Sequence, residues 1–386
     1  MKPLFWTKLN EASAKNTIWS KLDYQISLPQ ELIDQEFCAV EKKAPEETKE
    51  APPEKEKTLI LLDPKRWQNL SILLTRFPGM SEVDIKNALI ELNERLITED
   101  ALTNLLNFVP SDEEVELLKP YKDDPPANLG KPEKYFLCIM PIPELKKRLT
   151  FWQLRRQFSV KYEEIEAQVK ILANACKATQ DSGSFRKILE VVLAFGNYLN
   201  GGTNRGSAAG FKIETLLKLT DLKGSSDSKK TMLHFVIEHM MKECPNNLDL
   251  HAEFLPLEKA AELSISNIKT NMKDLSDSIT QLEHFLDQKS SEYGNFKNNF
   301  AQFLEESLLK VKNLGDSFNH ALFTFSNVAT FFGEDPKQAA PDTFFGLLVN
   351  FDKLFIATKN DIAQRAALEK KRLEALAKKA KSQNQN

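Results

Sequence analysis

Gly196-Asn197-Tyr198-Leu199-Asn200-Gly201-Gly202-Thr203-Asn204-Arg205-Gly206-Ser207-Ala208-Ala209-Gly210-Phe211 is the stretch on which the reading of this sequence turns. Glycine is scarce elsewhere: the 386 residues contain 13, and seven of them lie between Gly183 and Gly224. A chain this long at ordinary usage of about 7% would hold roughly 27. So little glycine, with abundant Leu, Lys, Glu and Ala, is the composition of a mostly helical protein. The run itself invites a phosphate-loop reading, since Gly201 to Gly206 has the spacing that begins a Walker motif. Ser207 stands where the phosphate-reaching lysine belongs, and Ile188 to Phe195 before the run has helical rather than strand periodicity. A nucleotide site is therefore not expected. Small residues in such a run instead admit close approach of another backbone or a large aromatic side chain.

Candidates for that aromatic group lie at the other end of the sequence. Residues 1–40 carry Phe5, Trp6, Trp19 and Phe37, too many large apolar groups to leave in water and too few to build a core. Glu41 to Lys57 comes next, with six Glu, five Lys, three Pro and no apolar side chain larger than Ala. That composition reads as a solvated flexible linker, so the first 40 residues are expected to dock elsewhere.

Beyond the linker the pattern is helical throughout. Asp63-Pro64 reads as an N-cap with proline at the first helical position, and Trp67, Leu70 and Leu74 recur on one face. Ile72 lies roughly opposite them, with Lys65 and Gln68. Ser81, Thr98 and Ser111 each precede an apolar-periodic run, Ser111 forming a capping box with Glu114. Tyr121 to Lys134, with Asp-Asp-Pro-Pro and Gly130, reads as a closing loop, and Pro141 to about Phe195 as long antiparallel helices. Ala261, Ile265, Ile268, Met272, Leu275, Ile279, Leu282 and Leu286 alternate in steps of four and three, the seam of a coiled coil. A helix through Tyr293 to Phe325 is expected to fold back on it, an intrachain antiparallel pair being favoured over a parallel dimer zipper because Gly294 interrupts the run, and Phe344 to Phe355 marks a further buried helix. From Arg365 onward seven basic residues face two acidic ones, a basic terminal helix.

The formal charge of −3 gives no global attraction to nucleic acid. No segment has the apolar length of a membrane span. Four widely spaced cysteines and five histidines without metal-binding spacing suggest neither metal nor cofactor, and no nucleophile motif appears, so an enzyme is not expected.

The glycine run and the segment after it resemble the signature of the formin homology 2 domain: G-N-Y-M-N, small residues, R-G-x-A-x-G-F, then a leucine-rich helix, here Lys212 to Leu219. Leu199 replaces the usual methionine. The resemblance extends to Leu4-Phe5-Trp6 and Ile18-Trp19, to Asp63–Leu73 and to the heptads. It implies an all-α, elongated subunit with a lasso (1–40), a linker (41–57), a knob (58–134), and a coiled coil and post over 135–386. Within that last part the post spans about 185–260, the coiled-coil helices about 141–180 and 261–360, and the basic C-terminal helix 361–386.

Such subunits form a head-to-tail ring homodimer that nucleates actin and elongates filaments processively at their barbed ends, in the cytoplasm and on the actin cytoskeleton. On this resemblance Trp6 and Trp19 are lasso anchors for the partner's post. Their receptor is the run, through Gly196, Asn197, Tyr198, Asn200, Gly201, Gly206, Gly210 and Phe211. Ile72 and Lys223 are the implied actin contacts, with Arg148, Lys65 and Arg66 as further basic candidates. Profilin-actin would engage only through regions outside this chain, which reads as a fragment of a larger protein. The alternative is a helical dimeric scaffold that binds other proteins without assembling actin.

Overall fold

The structure is a computed structural model in which residues 58–204, 206–288 and 294–383 are described. They are mostly helical, and no strand occurs among them. Five short helices come first: α1 (Pro64–Leu74), α2 (Glu82–Ile90), α3 (Glu99–Asn107), α4 (Asp112–Leu118) and α5 (Lys131–Ile139). Each of the first four starts where a side chain can satisfy its free N–H groups. Asp63 accepts from Lys65 and Arg66 N–H, both at 3.0 Å, and Thr98 accepts from Ala101 N–H at 3.3 Å. Ser81 and Ser111 close capping boxes with Asp84 and Glu114. Hydrogen bonds from the Ser81 hydroxyl and N–H hold the Asp84 carboxyl below the usual carboxylate range.

α5 corrects the expected loop over Tyr121–Lys134. Lys131-Pro132 opens a helix behind Gly130, because proline in a first turn gives up only an N–H that has no helical partner. The domain edge expected at 134 therefore falls inside a helix.

α6 (Leu145–Asp181) is one helix of 37 residues, and a second helix, α7 (Gly183–Leu199), follows it after Ser182 within the range where long helices are expected. The long-range partners of α6 are α3, α9 (Leu250–Ala261), α10 (Ile265–Gln288) and α11 (Gly294–Phe331). α10 and α11 pack together as the expected antiparallel hairpin: Phe285 meets Phe296 edge-on near the turn, while Ile279 and Leu314 share a core farther along. The seam begins at Ile265, since Ala261 closes α9 and the chain breaks from helix at 262–264.

Two cores result. One holds α1–α5, the start of α6 around Trp152, and the hairpin end marked by Leu282, Phe285, Phe296 and Phe300. The other gathers the rest of α6 with α7 (Gly183–Leu199), a 3₁₀ helix (Ile213–Thr220), α8 (Met232–Glu243), α9, and α12 (Pro341–Gln383). α6, α10 and α11 run from one core into the other, so the two ends are coupled by continuous helices. α12 continues unbroken across the boundary expected at 361; its first half is buried through Phe345, Leu348 and Phe351, and beyond Arg365 it is exposed on every face described.

Candidate functional site

In the first core the α1 stripe faces inward as the spacing predicts: Leu70, Leu73 and Leu74 are buried and Trp67 half-buried. Ile72 points the other way and is 56% exposed, with Lys65 exposed on the same face. Arg66 does not join that surface. Its guanidinium binds Glu114 and Val109 O (3.0 Å) and lies over the Phe108 and Phe136 rings, tying α1 to the start of α4. Arg148 is likewise corrected as a surface candidate: it is buried, with its guanidinium 5.1 Å from the centre of the Phe296 ring. Its place in sequence carried the signal, three residues after Leu145 and four before Trp152 on one helical face.

In the second core the glycine run is partly helical. Gly196, Asn197 and Tyr198 form the last turn of α7, and the loop begins only at Asn200. Asn197 then pins the returning chain with two bonds, its Nδ2 donating to Ala208 O at 3.0 Å and its Oδ1 accepting from Ala208 N–H at 2.8 Å. Gly206 is required by contact, since a Cβ there would sit 2.6 Å from Asn200 O. Gly196 and Gly210 are different: among the described residues a Cβ at either would meet nothing within 4 Å. Both line open apolar clefts that share Phe211 as a wall. The first, about 680 Å³, lies between Leu189, Gly210, Phe211, Phe331 and Phe332. The second, about 510 Å³, lies between Val192, Gly196, Leu199, Phe211, Leu219 and Met232. The mouth of the first is fixed by Lys212, which donates to Gly333 O and pairs with Glu334 at 3.2 Å; Glu334 also accepts from Ile213 N–H. Tyr198, at 86% exposed, stands outside the second cleft. Trp6 and Trp19 lie outside the described residues, as does Arg205.

Lys223 is exposed at the start of the loop that joins the 3₁₀ helix to α8, bridged to Thr231 through the backbone. Its ammonium has no side-chain partner among the described residues. Lys230 in the same loop is occupied, bonded to Glu238 at 2.7 Å and lying over the Phe235 ring. His234 is a satisfied, buried histidine, bonded to Thr231 and Asp361. Among the described residues no group of three or more His, Cys, Asp or Glu could hold a metal ion, and no helix is long and apolar enough to cross a membrane. Burial pushes the Cys176 thiol up to about 12, which leaves it inert at neutral pH.

The sequence pattern of the Formin Homology 2 Domain matches residues 1–356. Formin-like protein 3 of Oryza sativa subsp. japonica is 30% identical over 98% of this chain and 32% of its own length. Formin-A of Dictyostelium discoideum is 29% identical over 94% of the chain and 30% of its own length, and Protein diaphanous homolog 3 of Rattus norvegicus 28% over 96% and 32%. The chain thus spans about a third of the length of these curated relatives. With the family pattern covering all but the last 30 residues, the chain belongs to the formin homology 2 domain family, which is associated with actin assembly.

Proposed function

We propose that this chain, as a homodimer, nucleates actin filaments and stays on their barbed ends as subunits add. The observation that carries the reading is Ile72, an isoleucine more than half exposed on the otherwise polar face of a helix whose other large apolar groups are turned inward. Lys223 supplies a second, electrostatic contact, an exposed ammonium with no side-chain partner among the described residues. Lys65 extends the Ile72 surface, whereas Arg66 and Arg148 are spent on packing within the subunit.

Self-association is supported by the two clefts beside Phe211. Each is apolar, open and lined by a glycine where an added Cβ would meet nothing within 4 Å among the described residues, and the chain has two tryptophans in its first 40 residues. An indole buried in such a cleft loses about 150–250 Å² to water. At ~25 cal/mol per Å² that amounts to several kcal/mol before ordering costs. Trp6 and Trp19 of one subunit are the proposed occupants of the other's clefts, closing a ring. Residues 41–57 would be the slack between the halves.

The test is bulk actin assembly with the purified chain, beside a Trp6→Ala/Trp19→Ala variant characterised by sedimentation. Faster assembly by the parent, with a variant that is monomeric and inactive, is the expected result. A parent that dimerises yet leaves assembly and barbed-end depolymerisation untouched would make the chain a helical scaffold instead.

A further inference from the structure

We infer that Arg365 is the positioning residue of the loop that presents Lys223, a role that rests on the actin-contact reading of Lys223. Residues 221–231 make a narrow excursion between the 3₁₀ helix and α8. Gly224 N–H donates to Lys230 O at 2.8 Å, Lys230 N–H to Asp227 O at 3.0 Å and Met232 N–H to Leu222 O at 2.7 Å. These bonds close the loop upon itself. Lys230, next to the tip, is tied to Glu238 of α8 at 2.7 Å, but these bonds do not fix Asp227 and Lys229 at the tip itself.

Arg365 does. It stands on α12, 138 residues from Asp227 in sequence, at the point where that helix leaves the core. Its Nη1 donates to Asp227 Oδ2 and its Nη2 to Lys229 O, both at 3.0 Å, so one guanidinium holds a side chain and a backbone carbonyl of the loop tip. The third donor, Nε, binds Asp361 Oδ2 at 2.7 Å. That oxygen also takes His234 Nε2 at 2.9 Å, while Thr231 N–H donates to His234 Nδ1 at 3.0 Å. The acceptor role of Nδ1 assigns the ring proton to Nε2, where Asp361 receives it. The fork is therefore oriented by a carboxylate that α8 itself holds in place.

The three acceptors are met by three separate nitrogens in one plane; an ammonium in their place would keep the charge and lose that geometry, since its three donors sit on one atom. Holding the tip also holds the limb that carries Lys223, so the lysine meets a partner already ordered rather than losing loop freedom on binding.

The experiment measures barbed-end affinity of the full chain at low and at physiological salt for Arg365→Ala, Arg365→Lys, Lys223→Ala and Arg365→Ala/Lys223→Ala, with amide hydrogen exchange on the first two. Arg365→Ala should weaken binding about tenfold, chiefly at low salt, as expected for an ordering cost returned to the binding step. Arg365→Lys should behave like Arg365→Ala, and the double variant should bind no worse than Lys223→Ala. The Gly224 and Met232 amides should exchange faster in both Arg365 variants, while those of Val236 and Ile237 in the α8 core hold. Additive losses, rescue by lysine or unchanged exchange at Gly224 and Met232 would each overturn the clamp. If Lys223→Ala weakens binding and Arg365→Ala does not, only the positioning role fails. If Lys223→Ala binds like the parent, the actin-contact reading fails, and the positioning role with it.

Discussion

The indole Nε1–H of Trp67 donates to the carboxylate of Glu133 across 3.0 Å, joining α1 to α5 inside the first core. Glu133 is wholly buried, and its other oxygen accepts the backbone N–H groups of Leu61 and Leu62 at 3.0 and 3.3 Å. One carboxylate thus fixes both the segment that enters the domain and the inward face of the helix that turns Ile72 outward. Gly130 makes room for it, since a Cβ there would lie 2.2 Å from Glu133 Oε2 and 2.8 Å from the indole nitrogen.

Glu133→Leu removes the acceptor at similar volume and leaves three donors, one buried and two half-buried, without a partner. A buried donor so left costs about 1–3 kcal/mol, and a loss of that order is expected in urea unfolding of the first core. Glu133→Gln, which retains a carbonyl oxygen, should lose less. Stability of Glu133→Leu within about 0.5 kcal/mol of the parent, the range of an ordinary surface change, would remove Glu133 from this role.

Gly196→Ala separates folding from self-association. The added methyl meets nothing within 4 Å among the described residues and stands in the last turn of a helix, where alanine is favoured over glycine by up to about 1 kcal/mol. It also projects into the second cleft. Thermal stability of the subunit should rise slightly while the dimer weakens in sedimentation. A variant that is both more stable and equally dimeric would show the cleft to be empty in the dimer.

His251 gives a pH dependence of definite sign. Its Nδ1 lies 2.8 Å from Asp352 of α12, and that hydrogen bond raises the imidazole above its ordinary value. Burial raises Asp352 in turn. A group whose pKa is raised on folding adds stability below its unfolded value and loses it as pH rises through the folded one. The melting temperature of the parent should therefore exceed that of His251→Gln by more at pH 6 than at pH 8.5. An equal gap at both pH values would contradict the pairing.

Where the fold is legible in the sequence, the cause is local. Asp63-Pro64, Ser81 and Ser111 announce helix starts because a capping bond spans two or three residues, and Ile265 to Leu286 announces a hairpin because a seam repeats. Ile72 can be placed outward from the phase of α1 alone. The sequence misleads where one residue type serves two ends: the prolines of 121–134 suggest a loop, yet Pro132 belongs to the first turn of α5. The family resemblance implies Arg148 as a surface contact, although its helical phase puts it beside Leu145 and Trp152. Contacts such as Arg365 with Asp227, or Glu133 with Trp67, leave no local trace, because they depend on helices far apart in sequence being brought together.

The most direct test of the central claim is barbed-end elongation from actin seeds with the parent, Ile72→Ala and Lys223→Asp at two salt concentrations, with circular dichroism and sedimentation confirming intact dimers. Losing the isoleucine side chain should cost on the order of 2 kcal/mol per engaged subunit with little salt dependence. Lys223→Asp should weaken binding most at low ionic strength, where an exposed charge is least screened. Two folded, dimeric variants that track barbed ends as the parent does, at both salt concentrations, would contradict the assignment of these residues to the actin surface.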